Sequence, residues 1–184
     1  GWYAAGPGHS ILLWGGRLLV PCDHGSVAGR FSHTIYSDDH GETWNLGGIL
    51  GPPMDECMAA ELAGGDIYLT MRNLIPGHRR AYSWSEDGGV TWSEIKTDPE
   101  LVGPVCQASV LAWPDDGPET MLFLNPASEK RENMTLKISR DRAKTWEEVM
   151  TLYEGRAAYS DMAKLPDGSL GCLYENGDKR YWER

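Results

Sequence analysis

Positive charge is in short supply. Seventeen Lys and Arg stand against 27 Asp and Glu, a formal charge of -10. A surface of that sign excludes nucleic acid and anionic membranes as partners, because phosphate binding needs a basic face. Cysteine is equally sparse. Cys22, Cys57, Cys106 and Cys172 are far apart and show no Cys-x-x-Cys spacing, which excludes a compact thiolate metal site. They read as buried thiols, and whether any pair forms a disulfide stays open. The five histidines, His9, His24, His33, His40 and His78, show no His-x-x-x-His spacing, so no metal is expected. No apolar run approaches the roughly 20 residues of a membrane span. The segment Gly1 to Gly8 holds neither a start Met nor a signal peptide, so the compartment is not written here.

What the chain does have is turns and aromatic rings. Gly 22, Pro 11, Trp 8 and Tyr 8, with only two Phe, describe short strands punctuated by turns rather than helices. At 184 residues the chain fits one ordinary domain with a real core. Runs such as Arg17-Leu18-Leu19-Val20-Pro21, Asp66-Ile67-Tyr68-Leu69-Thr70-Met71 and Ser169-Leu170-Gly171-Cys172-Leu173-Tyr174 are bounded by Gly, Pro or Asp, as strands are.

One octapeptide organises these strands. Ser37-Asp38-Asp39-His40-Gly41-Glu42-Thr43-Trp44 recurs as Ser85-Glu86-Asp87-Gly88-Gly89-Val90-Thr91-Trp92. A third copy, residues 139–146, keeps Ser139, Asp141, Thr145 and Trp146 but has Ala143 in place of glycine. The interval is about 50 residues, the length of a four-stranded propeller blade. Each copy suits a β-hairpin turn: Asp accepts backbone N–H bonds, Gly supplies a positive φ, and Trp packs beneath. The boxes build the fold and do not catalyse. The expected fold is all-β, a six-bladed propeller of which residues 1–184 supply roughly the last three to four blades. Such a ring needs roughly 300 residues, so a partial domain cut at both ends is expected.

Three further segments, together with the Asp boxes, resemble the sialidase (neuraminidase) superfamily over nearly the whole chain. Asp55-Glu56-Cys57-Met58-Ala59-Ala60-Glu61-Leu62, followed by Leu69-Thr70-Met71-Arg72-Asn73, resembles the family's glutamate and second arginine. Arg131-Glu132-Asn133-Met134-Thr135-Leu136, running into the third box, resembles its third arginine. Ala158-Tyr159-Ser160-Asp161, followed by Leu173-Tyr174-Glu175-Asn176-Gly177, resembles its catalytic tyrosine and a glutamate that orients an arginine.

The resemblance implies an exo-α-sialidase that needs no cofactor and acts on sialylated glycoproteins, glycolipids or oligosaccharides, found mostly outside cells, in the periplasm or in lysosomes. Sialic acid carries a carboxylate at its anomeric carbon, which an arginine cluster clamps bidentately. The same carboxylate repels an anionic nucleophile, which is why sialidases use tyrosine. Tyr159 is then the nucleophile, Glu56 the base that takes its proton, Arg72 and Arg131 two clamp members, and Glu175 the partner of an arginine. Gln107, in Pro104-Val105-Cys106-Gln107-Ala108-Ser109, resembles a pocket-lining segment and is expected to hydrogen-bond a ligand hydroxyl or amide. Glu61, Arg79 and Arg80 are read as structural, the two arginines in surface or inter-blade salt bridges. The family's first clamp arginine and its acid/base aspartate have no counterpart here: Arg17, Arg30 and Asp23 stand in the wrong contexts. Two alternatives remain: a non-catalytic Asp-box propeller that binds glycans or protein, and a trans-sialidase with the same clamp and nucleophile.

Overall fold

The computed structural model describes residues 1–183. Its strands form successive antiparallel sheets, the first three each carrying one Asp box. In the first, β1 (Trp2–Ala5) and β2 (Ile11–Leu12) both pair with β3 (Leu18–Ser26), which is followed by β4 (Gly29–Ser37) and β5 (Asn45–Leu50). The second is β6 (Met54–Glu61), β7 (Ile67–Asn73), β8 (Arg79–Ser85) and β9 (Lys96–Val102). The third runs β10 (Ser109–Ala112), β11 (Met121–Pro126), β12 (Glu132–Ser139) and the start of β13 (Glu147–Lys164). The 18-residue β13 then changes partner. Its first part lies against β12, and Arg156 to Lys164 pair with β14 (Leu170–Gly177) to begin a fourth sheet. A first blade whose inner position is shared by β1 and β2, two four-stranded blades and one further hairpin match the blade spacing of the boxes. Among the described residues no helix is long and apolar enough to cross a membrane.

The period of two in the inner strands explains how the blades stack. Cys57 and Ala59 of β6 join Leu19, Leu50 and Met71 between the first and second blades. Their neighbours Met58 and Ala60 face the other way, toward Val110, Met121 and Phe123 of the third. Successive side chains on a strand point to opposite faces, so a strand covered on both faces is apolar throughout. Tyr68 and Leu69 divide in the same manner, as do Phe123 and Leu124.

Each box closes the turn between the third and fourth strands of its blade. Asp39 Oδ1 accepts the Thr43 N–H at 2.9 Å and the Ser37 hydroxyl at 2.7 Å, while Oδ2 accepts the Thr43 hydroxyl at 2.6 Å. The set repeats at Asp87 and Asp141. Ala143 takes the glycine's place at a φ of 58°, beside Arg142 at 65°, so the degenerate copy keeps the turn. Trp92 and Trp146 pack against the inter-blade clusters. Trp44 differs, staying 45% exposed and donating its indole N–H to the Gly41 carbonyl at 3.1 Å.

These bonds hold the Asp141 carboxyl down at about 2, through the Thr145 hydroxyl first and its N–H second. A folded value below the unfolded one stabilises the fold above about pH 4, and that contribution is lost as pH falls toward 2. Asp141→Asn is expected to lower the unfolding temperature at neutral pH by ~2–4 °C. The variant's midpoint should fall less steeply than the parent's between pH 4 and 2. Parallel melting curves read both effects.

Candidate active site

Two bulges aim the central residues. Between Met54 and Cys57 the β6–β7 register shifts, and Glu56 sits in the shifted stretch. Between Ala157 and Ser160 the β13–β14 register shifts in the same way, and Tyr159 sits there. A bulge inserts one residue, bends the strand and re-aims its side chain. The two inner strands thereby turn Glu56 and Tyr159 toward each other across a sequence separation of 103 residues.

The result is a bonded chain of three groups. The Tyr159 hydroxyl donates to Glu56 Oε1. Arg72 Nη1 donates to Glu56 Oε2 at 2.8 Å, and both side chains are largely buried, 17% and 12% exposed. Burial pushes the Tyr159 phenol up, the bond to Glu56 and its charge push further, and Arg72 pulls back. The phenol is held well above its ordinary value and stays neutral at any working pH. For Arg72, burial lowers the guanidinium, but the bond and charge of Glu56 outweigh it and the net direction is up.

Arg131, just ahead of β12, reaches the same place. Its guanidinium lies 5.8 Å from the centre of the Tyr159 ring and 4.7 Å from that of Tyr181. Its carbonyl accepts the Ala157 N–H at 2.9 Å, which ties the loop to the tyrosine strand. Glu175, on β14, accepts the Tyr159 N–H at 3.2 Å, so its bond goes to the tyrosine backbone rather than to an arginine. Gln107 is buried at 2% exposure and spends both amide atoms on Ser160: Nε2 donates to its carbonyl at 2.8 Å and Oε1 accepts its N–H at 2.9 Å. A cavity of about 370 Å³ opens beside Tyr159, lined by Pro7, Gln107, Asp161, Tyr174 and Glu175 among others. Glu61 lies elsewhere, at the far end of β6, where it accepts the Trp14 N–H at 2.8 Å beside a separate cavity of about 250 Å³.

Behind Glu56 lies an acidic layer that reading the sequence did not find. Asp55 accepts the Glu56 N–H at 3.0 Å and pairs with Arg30 at 2.6 Å. Asp23, 1% exposed, is pushed up to about 7, by burial first and then by Asp55 and Glu56, with Arg72 opposing. The available signal was the position of Asp55 next to Glu56; Asp23 and Arg30, set aside above as standing in the wrong contexts for the acid/base aspartate and the first arginine, meet this layer through neighbours on other strands. Arg80 also departs from expectation. It is buried at 3% exposure and makes no salt bridge among the described residues; its Nη1 donates to the Cys106 carbonyl at 2.5 Å. Among the described residues Arg79 bonds only backbone carbonyls, those of Gly77, His78 and Pro99. All four cysteines are free thiols, three of them buried.

A family described as a BNR repeat-like domain matches residues 1–172. The sialidase of Micromonospora viridifaciens is 35% identical over 170 residues, covering 88% of this chain and 26% of that protein. Among solved structures, a Hadza microbial sialidase superposes with a TM-score of 0.78 at 31% identity, over 94% of this chain and 35% of its own. The intramolecular trans-sialidase of Ruminococcus gnavus, in complex with oseltamivir carboxylate, gives 0.79 at 28% identity, over 99% of this chain and 42% of its own. The chain therefore spans less than half the length of each of these proteins.

Proposed function

The chain belongs to the sialidase superfamily, through a BNR repeat-like domain matched over residues 1–172, and from that membership we propose that its site releases terminal α-linked sialic acids from glycoproteins, glycolipids or oligosaccharides. Residues 1–184 are one propeller-type domain in this reading. The observation that carries it is the hydrogen bond from the Tyr159 hydroxyl to Glu56, with Arg72 on the second oxygen of the same carboxylate.

The chemistry follows from charge. The substrate's carboxylate enters between Arg72 and Arg131, whose guanidinium forks suit it. A carboxylate nucleophile would be repelled there, and a neutral phenol is not. A phenol held above its ordinary value is a weak nucleophile, so its proton must leave as the bond forms, and Glu56 Oε1 already accepts it. The Tyr159 oxygen bonds to the anomeric carbon, the glycosidic bond breaks, and the proton passes to Glu56. Water then attacks the anomeric carbon of the sialyl-tyrosine, Glu56 returns its proton to the departing Tyr159 oxygen, the proton of the attacking water passes to solvent, and the sugar leaves with retained configuration. No residue of this chain is assigned the acid that protonates the leaving oxygen. Glu175 and Gln107 hold the tyrosine strand.

The likeness to an intramolecular trans-sialidase supports a second reading, in which a hydroxyl of the bound sugar replaces water. One experiment tests both. The intact protein is given a fluorogenic α-sialoside, and the products are followed by NMR. Fluorophore release with the α-anomer appearing first supports hydrolysis with retention; an anhydro sugar supports internal transfer. Neither release nor binding would overturn the sugar assignment.

A further inference from the structure

An inner strand has one edge without a neighbouring strand, and its N–H and C=O groups need partners from elsewhere. At Tyr159 the need is acute, because the β13–β14 register shifts between Ala157 and Ser160. Gln107 meets it. Its side-chain amide grips both the N–H and the C=O of Ser160, at 2.9 and 2.8 Å, as a neighbouring strand would. The Ser160 hydroxyl donates to the Leu124 carbonyl at 2.8 Å, which fixes the same residue a third time.

Gln107 is itself anchored. Arg80 donates to the carbonyl of Cys106, one residue before it, at 2.5 Å, and to Thr70 Oγ1 at 3.2 Å. Burial pushes the Arg80 guanidinium down to about 10, and its Nη2 has no hydrogen-bond partner among the described residues. A buried cation with no carboxylate on it among the described residues is destabilising, and a group kept at that cost calls for an explanation. A charge-assisted bond to a carbonyl is stronger than a neutral one, and here it holds the segment that holds the tyrosine.

We infer that Arg80 and Gln107 form one buried brace, running from the second blade to the inner strand of the fourth, that positions Tyr159 against Glu56. The catalytic consequence rests on the function proposed above; the brace itself does not. In the intact protein, Gln107→Ala is expected to speed hydrogen exchange at the Ser160 amide by at least ~10-fold. It should lower kcat for an α-sialoside by about 10–100-fold, with KM little changed. Gln107→Glu keeps the acceptor for the Ser160 N–H and nearly the same volume, and is expected to fall between the two. It carries the test if the alanine variant does not fold. Unchanged exchange at Ser160 in a folded variant overturns the brace, whatever the activity. Faster exchange with unchanged kcat, or a raised KM at constant kcat, overturns the positioning role and returns Gln107 to the ligand. If the parent protein does not act on sialosides, the proposed function fails, and exchange alone decides the brace.

Discussion

Tyr159→Phe is expected to bind an α-sialoside about as the parent protein does and to turn it over at least about 10³-fold more slowly. The substitution removes one oxygen. The ring that faces the Arg131 guanidinium remains, as does the backbone N–H bonded to Glu175, so the strand and the clamp keep their places. What goes is the atom that forms the bond to the sugar and the proton that Glu56 accepts. A loss of that size is about 4 kcal/mol of transition-state stabilisation, far beyond the 0.5–1.5 kcal/mol that a neutral hydrogen bond contributes to stability. Steady-state kinetics separates kcat from KM. A slow-turnover fluorinated sialoside adds a second readout: mass spectrometry should find the adduct on the peptide around Tyr159 in the parent and nowhere in the variant. Equal kcat in the two proteins would remove Tyr159 from the chemistry. The Tyr159 phenol is held up by burial and by Glu56, so no limb of the parent's pH–rate profile near neutrality should come from its ionisation.

The blades were legible because their signal is local and repeated. Ser, Asp, Thr and Trp occupy fixed offsets in each box, and the hydrogen bonds among them are closed within the octapeptide. Ala143 weakened the motif but not the turn, since alanine adopts the φ of 58° found there. The central residues were legible by family pattern, and the structure brings Glu56, Arg72 and Tyr159 into one bonded chain with Arg131 against the tyrosine ring.

The relations between blades were not legible. The register shifts that re-aim Glu56 and Tyr159 move a strand by one residue, and the sequence of a single strand does not say where its partner slips. The sequence places Arg80 with Arg79 in surface or inter-blade salt bridges, and neither is found among the described residues. The burial of Arg80 depends on Cys106, which belongs to another segment. Asp23 follows the same logic, since Asp55 and Glu56 reach it from the second blade. The segment around Gln107 resembles a pocket wall, but the use of its amide depends on the free edge of β13, a property of sheet order and not of composition.

Glu56→Gln is expected to lower kcat by about 10²–10⁴-fold, the range that a positioned proton acceptor contributes. The amide has nearly the volume of the carboxylate, but it cannot do both of that group's jobs. Glu56 accepts from Tyr159 on one oxygen and from Arg72 on the other. Glutamine has one acceptor oxygen and one donor nitrogen, so either the phenol or the guanidinium then faces an N–H. If the oxygen stays with Tyr159, Arg72 loses its charged partner while still largely buried; if it stays with Arg72, the phenol has nowhere to send its proton. Neither arrangement carries the charge that draws the proton away as the tyrosine oxygen attacks. The comparison that decides whether the two residues share a step is the double variant. Groups acting as one unit are strongly non-additive, so Glu56→Gln combined with Tyr159→Phe should be no slower than the slower single variant. Multiplied losses would mean that Glu56 acts on some other proton, and the bond from Tyr159 to Glu56 would then be structural.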